Sequence, residues 1–466
     1  MKKVLLGALV LVAATSLGLP GYLGSQVEQR YQAQIDELKK AGFTVLDHRY
    51  ERGWFGAVAE TRMGMPIPTE MEELVTEEVM NQLAITWQSD LSHGPWLSTP
   101  FSGLAEIDTK VVTGDDSPFV LDESANIHTL IAWDGSGEAQ VDLPKLVFKV
   151  EEDEALIFNS LQGTTQFDSA LNEIDSEGSM SSLQFVDGDK QGFTMQGIRI
   201  ESSTRPGNSG LNLGNSAITA DSLSLQLPTA GDIVLTKVGI DVSGSEQGEQ
   251  VKAGVGYNFQ QLDFGGQQLG PGELQITIDN LPASELLKMQ QGMEEIRANP
   301  SVFEQQEMMM ALLLSSGPEF LASDPKLSID KLHLKTPEGE VNGDFSLQSV
   351  GLAWNDVSNP AAIVERLQGA AKFSLPRAYL DKILLNMMTD QLRMQELITM
   401  EQGGEAQDPA AIEEQAKMMA NMQIEMMVGQ GFLQQTDGLI SSTAKLDGGK
   451  LTVNGNAIPL PIPGVQ

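Results

Sequence analysis

Cysteine is absent from all 466 residues, which excludes disulfide frameworks, thiolate zinc sites, iron–sulfur clusters and cysteine nucleophiles. Positive charge is scarce: 29 Lys and Arg stand against 64 Asp and Glu, a formal charge of −35. Such a surface repels phosphate backbones, so a nucleic-acid role is set aside. Aromatic residues make up 6% and apolar residues 41%, enough for a core but short of a multi-spanning membrane protein. Signatures of a reaction are missing too. His48, His93, His128 and His333 lie far apart in sequence and in no HExxH pattern. Gly207-Asn208-Ser209-Gly210 misses the nucleophile-elbow spacing by one place, and Gly254-Val255-Gly256 lacks a third glycine. Asp187-Gly188-Asp189 begins like a calcium loop, but its twelfth position is Ile198 instead of glutamate, and it reads as a hairpin turn. Glu70, Glu72, Glu73, Glu77 and Glu78 read as a solvated face. The chain is therefore expected to be non-enzymatic, with no catalytic, cofactor-binding or metal-binding residue assigned.

What is present begins at the N-terminus. Lys2 and Lys3 precede an apolar run from Val4 to Leu23, long enough to cross about 30 Å of hydrocarbon as a helix. Those flanking lysines favour a cytoplasmic N-terminus with the remainder exported. A cleaved signal peptide is the rival reading; Ala14 and Ser16 lie too early for good cleavage, which favours an uncleaved anchor. No later stretch is continuously apolar over such a length, so the remainder is expected in water, in the periplasm if the cell is bacterial.

The rest falls into three blocks. Residues 25–100 hold an amphipathic helix (Val27, Tyr31, Ile35, Leu38) and the first short strands. Residues 101–282 alternate apolar and polar strand after strand, as in Leu223, Leu225 and Leu227 or Val238, Ile240 and Val242. Glycine-bearing turns such as Pro206-Gly207-Asn208 and Gly265-Gly266 punctuate them and favour up-and-down hairpins. Residues 283–466 mix strands with helices over 283–298, 302–315 and 376–402, the last carrying a stripe of Leu380, Leu384, Met387, Gln391, Met394 and Ile398. Asp408-Pro409 caps a further helix, and Asp447-Gly448-Gly449 turns a final hairpin. Fourteen of the 21 methionines fall between Met289 and Met427, a density suited either to core packing or to a surface that repacks around apolar partners.

Two short segments carry a resemblance. Tyr50-Glu51-Arg52-Gly53-Trp54-Phe55, followed by Gly56, and Ser92-His93-Gly94-Pro95 resemble the landmarks of the YdgA-like bacterial envelope family (DUF945). The LPASELL segment at 281–287 and the LPRAYLDKIL segment at 375–384 also fit. The resemblance implies an inner-membrane-anchored periplasmic protein and transfers no catalytic residue. Arg52, Gly53, Trp54, Phe55, His93, Gly94 and Pro95 are family-motif positions of unknown role. From the residues, Gly53 and Gly94 suggest backbone bends, Pro95 a strand exit, and Trp54 and Phe55 core anchors.

The expected fold is α+β: one membrane helix over 1–24, a large antiparallel β region, a helical insertion and a helical C-terminal part. The expected function is binding of apolar partners, lipid or protein, in a groove of sheet and helix, a layout loosely similar to AsmA-like lipid-handling proteins. A self-associating scaffold with homo-oligomeric contacts is the alternative. An envelope-directed hydrolase, requiring converging carboxylates or a pocketed His93, comes third.

Overall fold

The computed structural model describes residue 35 and residues 43–460, apart from 54–55, 65–82, 94–96, 100–102, 115–116, 122–124, 151–152, 189, 228–230, 299–301 and 402–407. The segment expected to anchor the chain, with Lys2 and Lys3, the acidic cluster at 70–78, and Trp54, Phe55, Gly94 and Pro95 lie outside the described residues. Among the described residues no helix is long and apolar enough to cross a membrane. The fold is α+β, 59% antiparallel sheet with five helices among the described residues. Packing divides the chain into two compact units: Met1–Val251 with Pro282–Ser316, and Lys252–Leu281 with Gly317–Gln466.

The first unit holds β1 (Thr44–Arg52), β2 (Gly56–Gly64), β3 (Ala84–His93), β4 (Ala105–Thr113), β5 (Phe119–Leu121), β6 (Ala125–Ile131), β7 (Gly137–Lys149), β8 (Glu154–Phe167), β9 (Ile174–Asp187), β10 (Lys190–Pro206), β11 (Asn212–Leu227) and β12 (Gly231–Gln247). Each strand pairs antiparallel with the next, except that β4 pairs β6, and short β5 joins the far half of β7. The period-two alternation therefore puts one face dry and one wet. On the dry face, Ala57, Ala59, Leu91, Ala105, Ile107 and Ile131 pack with helical Ile35.

From β7 to β12 the strands run 13–17 residues, and each changes phase midway. A transverse line through Pro144, Ser160, Ser181, Gly197, Asp221 and Lys237 is skipped by the pairing, with positive φ at Ser160 (52°), Gly197 (61°) and Lys237 (51°). On the near side runs the row Leu143–Leu161–Met180–Ile198–Ala220–Val238, and on the far side Leu146–Phe158–Leu183–Met195–Leu223–Leu235. These apolar residues sit three apart within each strand, a spacing that strict alternation would send to opposite faces. The twisted line absorbs the extra half-period, and one cluster contains residues of both rows. A further apolar row follows: Phe148–Leu156–Phe185–Phe193–Leu225–Ile233. Gly197 is required because a Cβ there would lie 2.2 Å from Asp221 Oδ2, on the carboxylate that pairs with Lys237.

The remaining elements are β13 (Gln250–Phe259), β14 (Gln261–Phe264), β15 (Gln267–Leu269), β16 (Gly272–Pro282), α1 (Ala283–Ala298), α2 (Val302–Ala322), β17 (Lys326–Thr336), β18 (Gly339–Ser349), α3 (Pro360–Arg366), β19 (Leu367–Pro376), α4 (Arg377–Glu401), α5 (Pro409–Gly429), β20 (Gln434–Thr436), β21 (Leu439–Asp447), β22 (Lys450–Val453) and β23 (Asn456–Ile458). In the second unit β16 to β19 form an antiparallel meander continued by β21, β22 and β23. The α4–α5 hairpin buries Leu384, Met388, Ala416, Ala420 and Ile424 together with Ile440 of β21. Asp408 caps α5 by accepting the Ala410 N–H at 3.0 Å, as its sequence predicts. The expected α4 stripe divides: Leu380 and Leu384 face inward, while Met387, Met394 and Ile398 are exposed. The small Ala416 and Ala420 of α5 select the neighbouring ridge, ending in Met388 and Leu392, for close approach.

Two substitutions check this packing. Gly197→Ala adds positive-φ strain of about 1–3 kcal/mol and displaces Asp221, so it should lower Tm more than Gly210→Ala, where φ is also positive but nothing lies within 4 Å of the new methyl. Ile424→Ala, at a fully buried position, should cost about 2–5 kcal/mol by denaturant unfolding, whereas exposed Met422→Ala should change stability by about 0.5 kcal/mol or less.

Candidate functional site

The wet face of the first unit presents polar side chains in transverse rows fixed by the register. One runs Gly56–Ser92–Glu106–Leu130–Glu138–Gln166, and the next Val58–Asp90–Asp108–His128–Gln140–Thr164–Glu177–Glu201. A third, Glu60–Gln88–Lys110–Asn126–Asp142–Gln162–Ser179–Arg199, follows. Side-chain hydrogen bonds such as Gln88 to Glu60 and Gln166 to Glu138 run between neighbouring strands on this face. A cavity of about 550 Å³ lies along it, lined by His128, Gln140, Asp142, Thr164, Glu177 and Arg199 among others. Gly163 and Gly178 sit side by side and line it with backbone, between the Thr164–Glu177 and Gln162–Ser179 pairs.

Three ligand-type side chains converge beside this cavity: Glu106 and Asp108, two apart on β4, and His128 opposite Asp108 on β6. Their nearest oxygen and nitrogen atoms all lie within 4.8 Å of one another. His128 Nδ1 is 2.8 Å from Asp108 Oδ1, and Nε2 is 3.5 Å from Glu106 Oε1. Glu106 is buried, 7% exposed, while Asp108 and His128 open to solvent. Burial alone would raise the Glu106 pKa. Hydrogen bonds from the Ser98 hydroxyl (2.6 Å to Oε1) and N–H (2.8 Å to Oε2) prevail, helped by nearby His128, and hold it below the ordinary glutamate range. Ser98 reaches Glu106 because neighbouring Leu97 is buried and pins its segment.

Of the family-motif residues, Arg52, Gly53 and His93 are described, and they lie at strand ends on this part of the sheet. Arg52 closes β1 opposite Ala57, and the Gly53 N–H donates to the Gly56 carbonyl at 2.8 Å, making the bend its sequence suggests. Gly56 opens β2 opposite Ser92, with no room for a Cβ, which would fall 2.2 Å from the Leu91 carbonyl oxygen. His93 is half-buried as the last residue of β3, opposite Ala105, and Ser92 faces Glu106. Thus the two motifs occupy neighbouring strand ends, one strand from Glu106. Of the other histidines, His48 meets Thr61 and His333 meets Asn342 across strand pairs. The cluster of Glu106, Asp108 and His128 was missed because His128 lies 20 residues beyond Asp108 and meets the two carboxylates only through the β4–β6 register; the Glu-x-Asp spacing on one strand was the available signal.

An acidic antiparallel meander, dry on one face and polar on the other, with a carboxylate–imidazole cluster beside its N-terminal strand ends, defines an α+β protein. Residues 1–461 match the family described as bacterial protein of unknown function (DUF945), and the chain belongs to that family. No curated protein and no solved structure matches the chain.

Because folding lowers the Glu106 pKa, its ionised form contributes stability that is complete above the unfolded value and is lost as pH falls through the folded one. Ser98→Ala should therefore destabilise the protein by about 1–3 kcal/mol near pH 7. That difference should shrink on acidification below about pH 4, read by urea unfolding at each pH. A difference independent of pH would assign Ser98 a purely packing role.

Proposed function

We propose that the protein is a non-enzymatic envelope protein, held to the inner membrane by residues 4–23 with its bulk in the periplasm, that binds lipid acyl chains along the dry face of β7–β12. The observation that carries this reading is the set of three apolar rows that cross six strands on one face, a face less covered toward β11 and β12. There Ile218, Ile240 and Val242 are 43%, 39% and 47% exposed. Phe148, Leu156, Phe185, Phe193, Leu225 and Ile233 are all only half-buried. Six strands about 4.8 Å apart make a row about 24 Å long, which exceeds the roughly 15 Å that one acyl chain fills in a bilayer leaflet. The rows run across the strands, so a linear chain lying along one would meet side chains of every strand in turn. The binding is driven by removal of apolar surface from water and needs no polar specificity at the chain itself.

The competing self-association reading draws on a different surface. On α4 and α5, Met394, Leu397, Ile398, Met418, Met422 and Met426 are all more than half exposed. Contiguous apolar exposure of this kind marks an interaction surface, and methionine suits it to partners of variable shape.

Feeding a photo-crosslinkable fatty acid to cells expressing the full chain separates these. Label should map to peptides of β8–β12, and Leu223→Glu or Ile240→Glu should lower it by about tenfold, since each would bury a carboxylate against the chain. Label confined to residues 4–23, or unchanged in both variants with the fold intact by circular dichroism, would sink the acyl-chain reading.

A further inference from the structure

The wet face carries an independent inference. We propose that Glu106, Asp108 and His128 form a divalent transition-metal site of the zinc type, in which His128 Nε2 and Glu106 Oε1 bind the ion and Asp108 orients the imidazole.

The geometry assigns these roles. His128 Nδ1 lies at hydrogen-bonding distance from Asp108, 2.8 Å, so the Nδ1–H is donated there and the Nε2 lone pair is left on the side of Glu106. That is the carboxylate–histidine–metal arrangement, which fixes the tautomer and raises the basicity of the ligating nitrogen. Nε2 and Glu106 Oε1 stand 3.5 Å apart. This is longer than a charge-assisted hydrogen bond of about 2.7–2.9 Å. It matches the separation of about 3.4 Å between two ligands of one tetrahedral ion with bonds near 2.1 Å.

The donor set supports the same reading. Imidazole with carboxylate suits zinc and its neighbours, whereas calcium and magnesium favour oxygen alone. Ser98 already orients Glu106 through two hydrogen bonds, so binding costs it little further ordering.

Charge supplies a second, separate argument. Asp90 of β3 lies directly across from Asp108 in the ladder, with Asp108 in turn beside His128. Like charges directly opposed across an antiparallel pair are destabilising. Together with Glu106 they place three carboxylates on neighbouring rungs of this face, and a bound dication offsets their mutual repulsion. His128 also lines the 550 Å³ cavity, whose open side leaves room for water or a small ligand to complete the coordination. With two protein ligands the site leaves its remaining positions to water or a small ligand and does not close around the ion as four-residue structural sites do.

The full chain, freed of metal by chelation, is titrated with Zn²⁺ by calorimetry and with Co²⁺ by visible absorption. One saturable site per chain is expected, with a Co²⁺ band that shows nitrogen and oxygen coordination. His128→Gln should abolish the site, and Asp108→Asn should weaken it by about tenfold or more. The His128 side chain is 42% exposed, so its substitution should leave the fold intact, whereas Glu106→Gln places the change at a buried position and serves as a second test by thermal unfolding. Many weak Zn²⁺ equivalents bound equally by wild type and His128→Gln would overturn the proposal, because that is the behaviour of a diffusely acidic surface alone. A saturable site that survives in His128→Gln would overturn it as well.

Discussion

The constraint on which the first unit rests is the two-residue period of the β-strand, passed from strand to strand along β1–β4 and β6–β12. Every antiparallel pair passes the phase of one strand to the next, so a single slip would turn an apolar row into water. The chain nevertheless makes such a slip in every strand from β7 to β12. It does so at the same transverse line, from Pro144 to Lys237, and the slips therefore cancel in register. Positive φ at Ser160, Gly197 and Lys237 falls on alternate strands, where a local twist turns the following residue back to the dry side. The Asp221–Lys237 ion pair at 2.7 Å lies on this line and is screened by solvent, so the line is held chiefly by the packing of the rows on either side of it.

Most of the strands were legible because their alternation is strict within each half. Leu223, Leu225 and Leu227 lie wholly on one side of the slip, and Val238, Ile240 and Val242 wholly on the other. The slip itself was also written in the residues, as the three-residue spacing of Met180 and Leu183 or Met195 and Ile198. Period-two reading treats such a spacing as noise between strands, yet here it is the joint inside each one. Helices α1, α2, α4 and α5 were legible from their periodicity and caps, whereas seven-residue α3, with Pro360 at its start, is too short to show a period. The face of α4 was not legible, since Leu384–Met387 and Leu384–Met388 both suit a 3.6-residue turn. The alanines of α5 decide between them.

The cluster at Glu106 was hidden for a different reason. A metal motif on a helix declares itself by spacing, because residues three and four apart share a face. A motif shared between strands is set by register, and register depends on turns that a single sequence leaves open. Glu106 and Asp108 looked like two of 64 acids until β6 set His128 opposite. The family motifs show the same dependence. Arg52-Gly53 and Ser92-His93 are 40 residues apart, yet Gly56 and Ser92 are cross-strand partners, and the row they begin continues into Glu106. Motifs that look like separate landmarks in the sequence are one strand-end neighbourhood in the fold.

The two faces then divide the chemistry between them. On the proposed reading the apolar rows of the dry face would discriminate by length and shape, because the hydroxyls that share this face, Thr165 with Ser176 and Ser202 with Ser216, are taken up with one another. Any selection among lipids must come from the field in which the headgroup sits. With a net charge of −35 that field is negative, which raises the local concentration of cations near the carboxylate rows and disfavours anionic headgroups. On the proposed reading, the same excess of acid that excludes nucleic acid thus biases the apolar face toward neutral or zwitterionic lipids and brings cations to the wet face. The bias weakens as salt shortens the Debye length from about 30 Å at 0.01 M to about 8 Å at 0.15 M. Charges near the rim of the sheet then matter more than the total. Among them are Glu60, Asp90 and Asp108 on one edge and Glu177 and Glu201 along the cavity, so the negative potential is focused on the wet face even when the distant charges are screened.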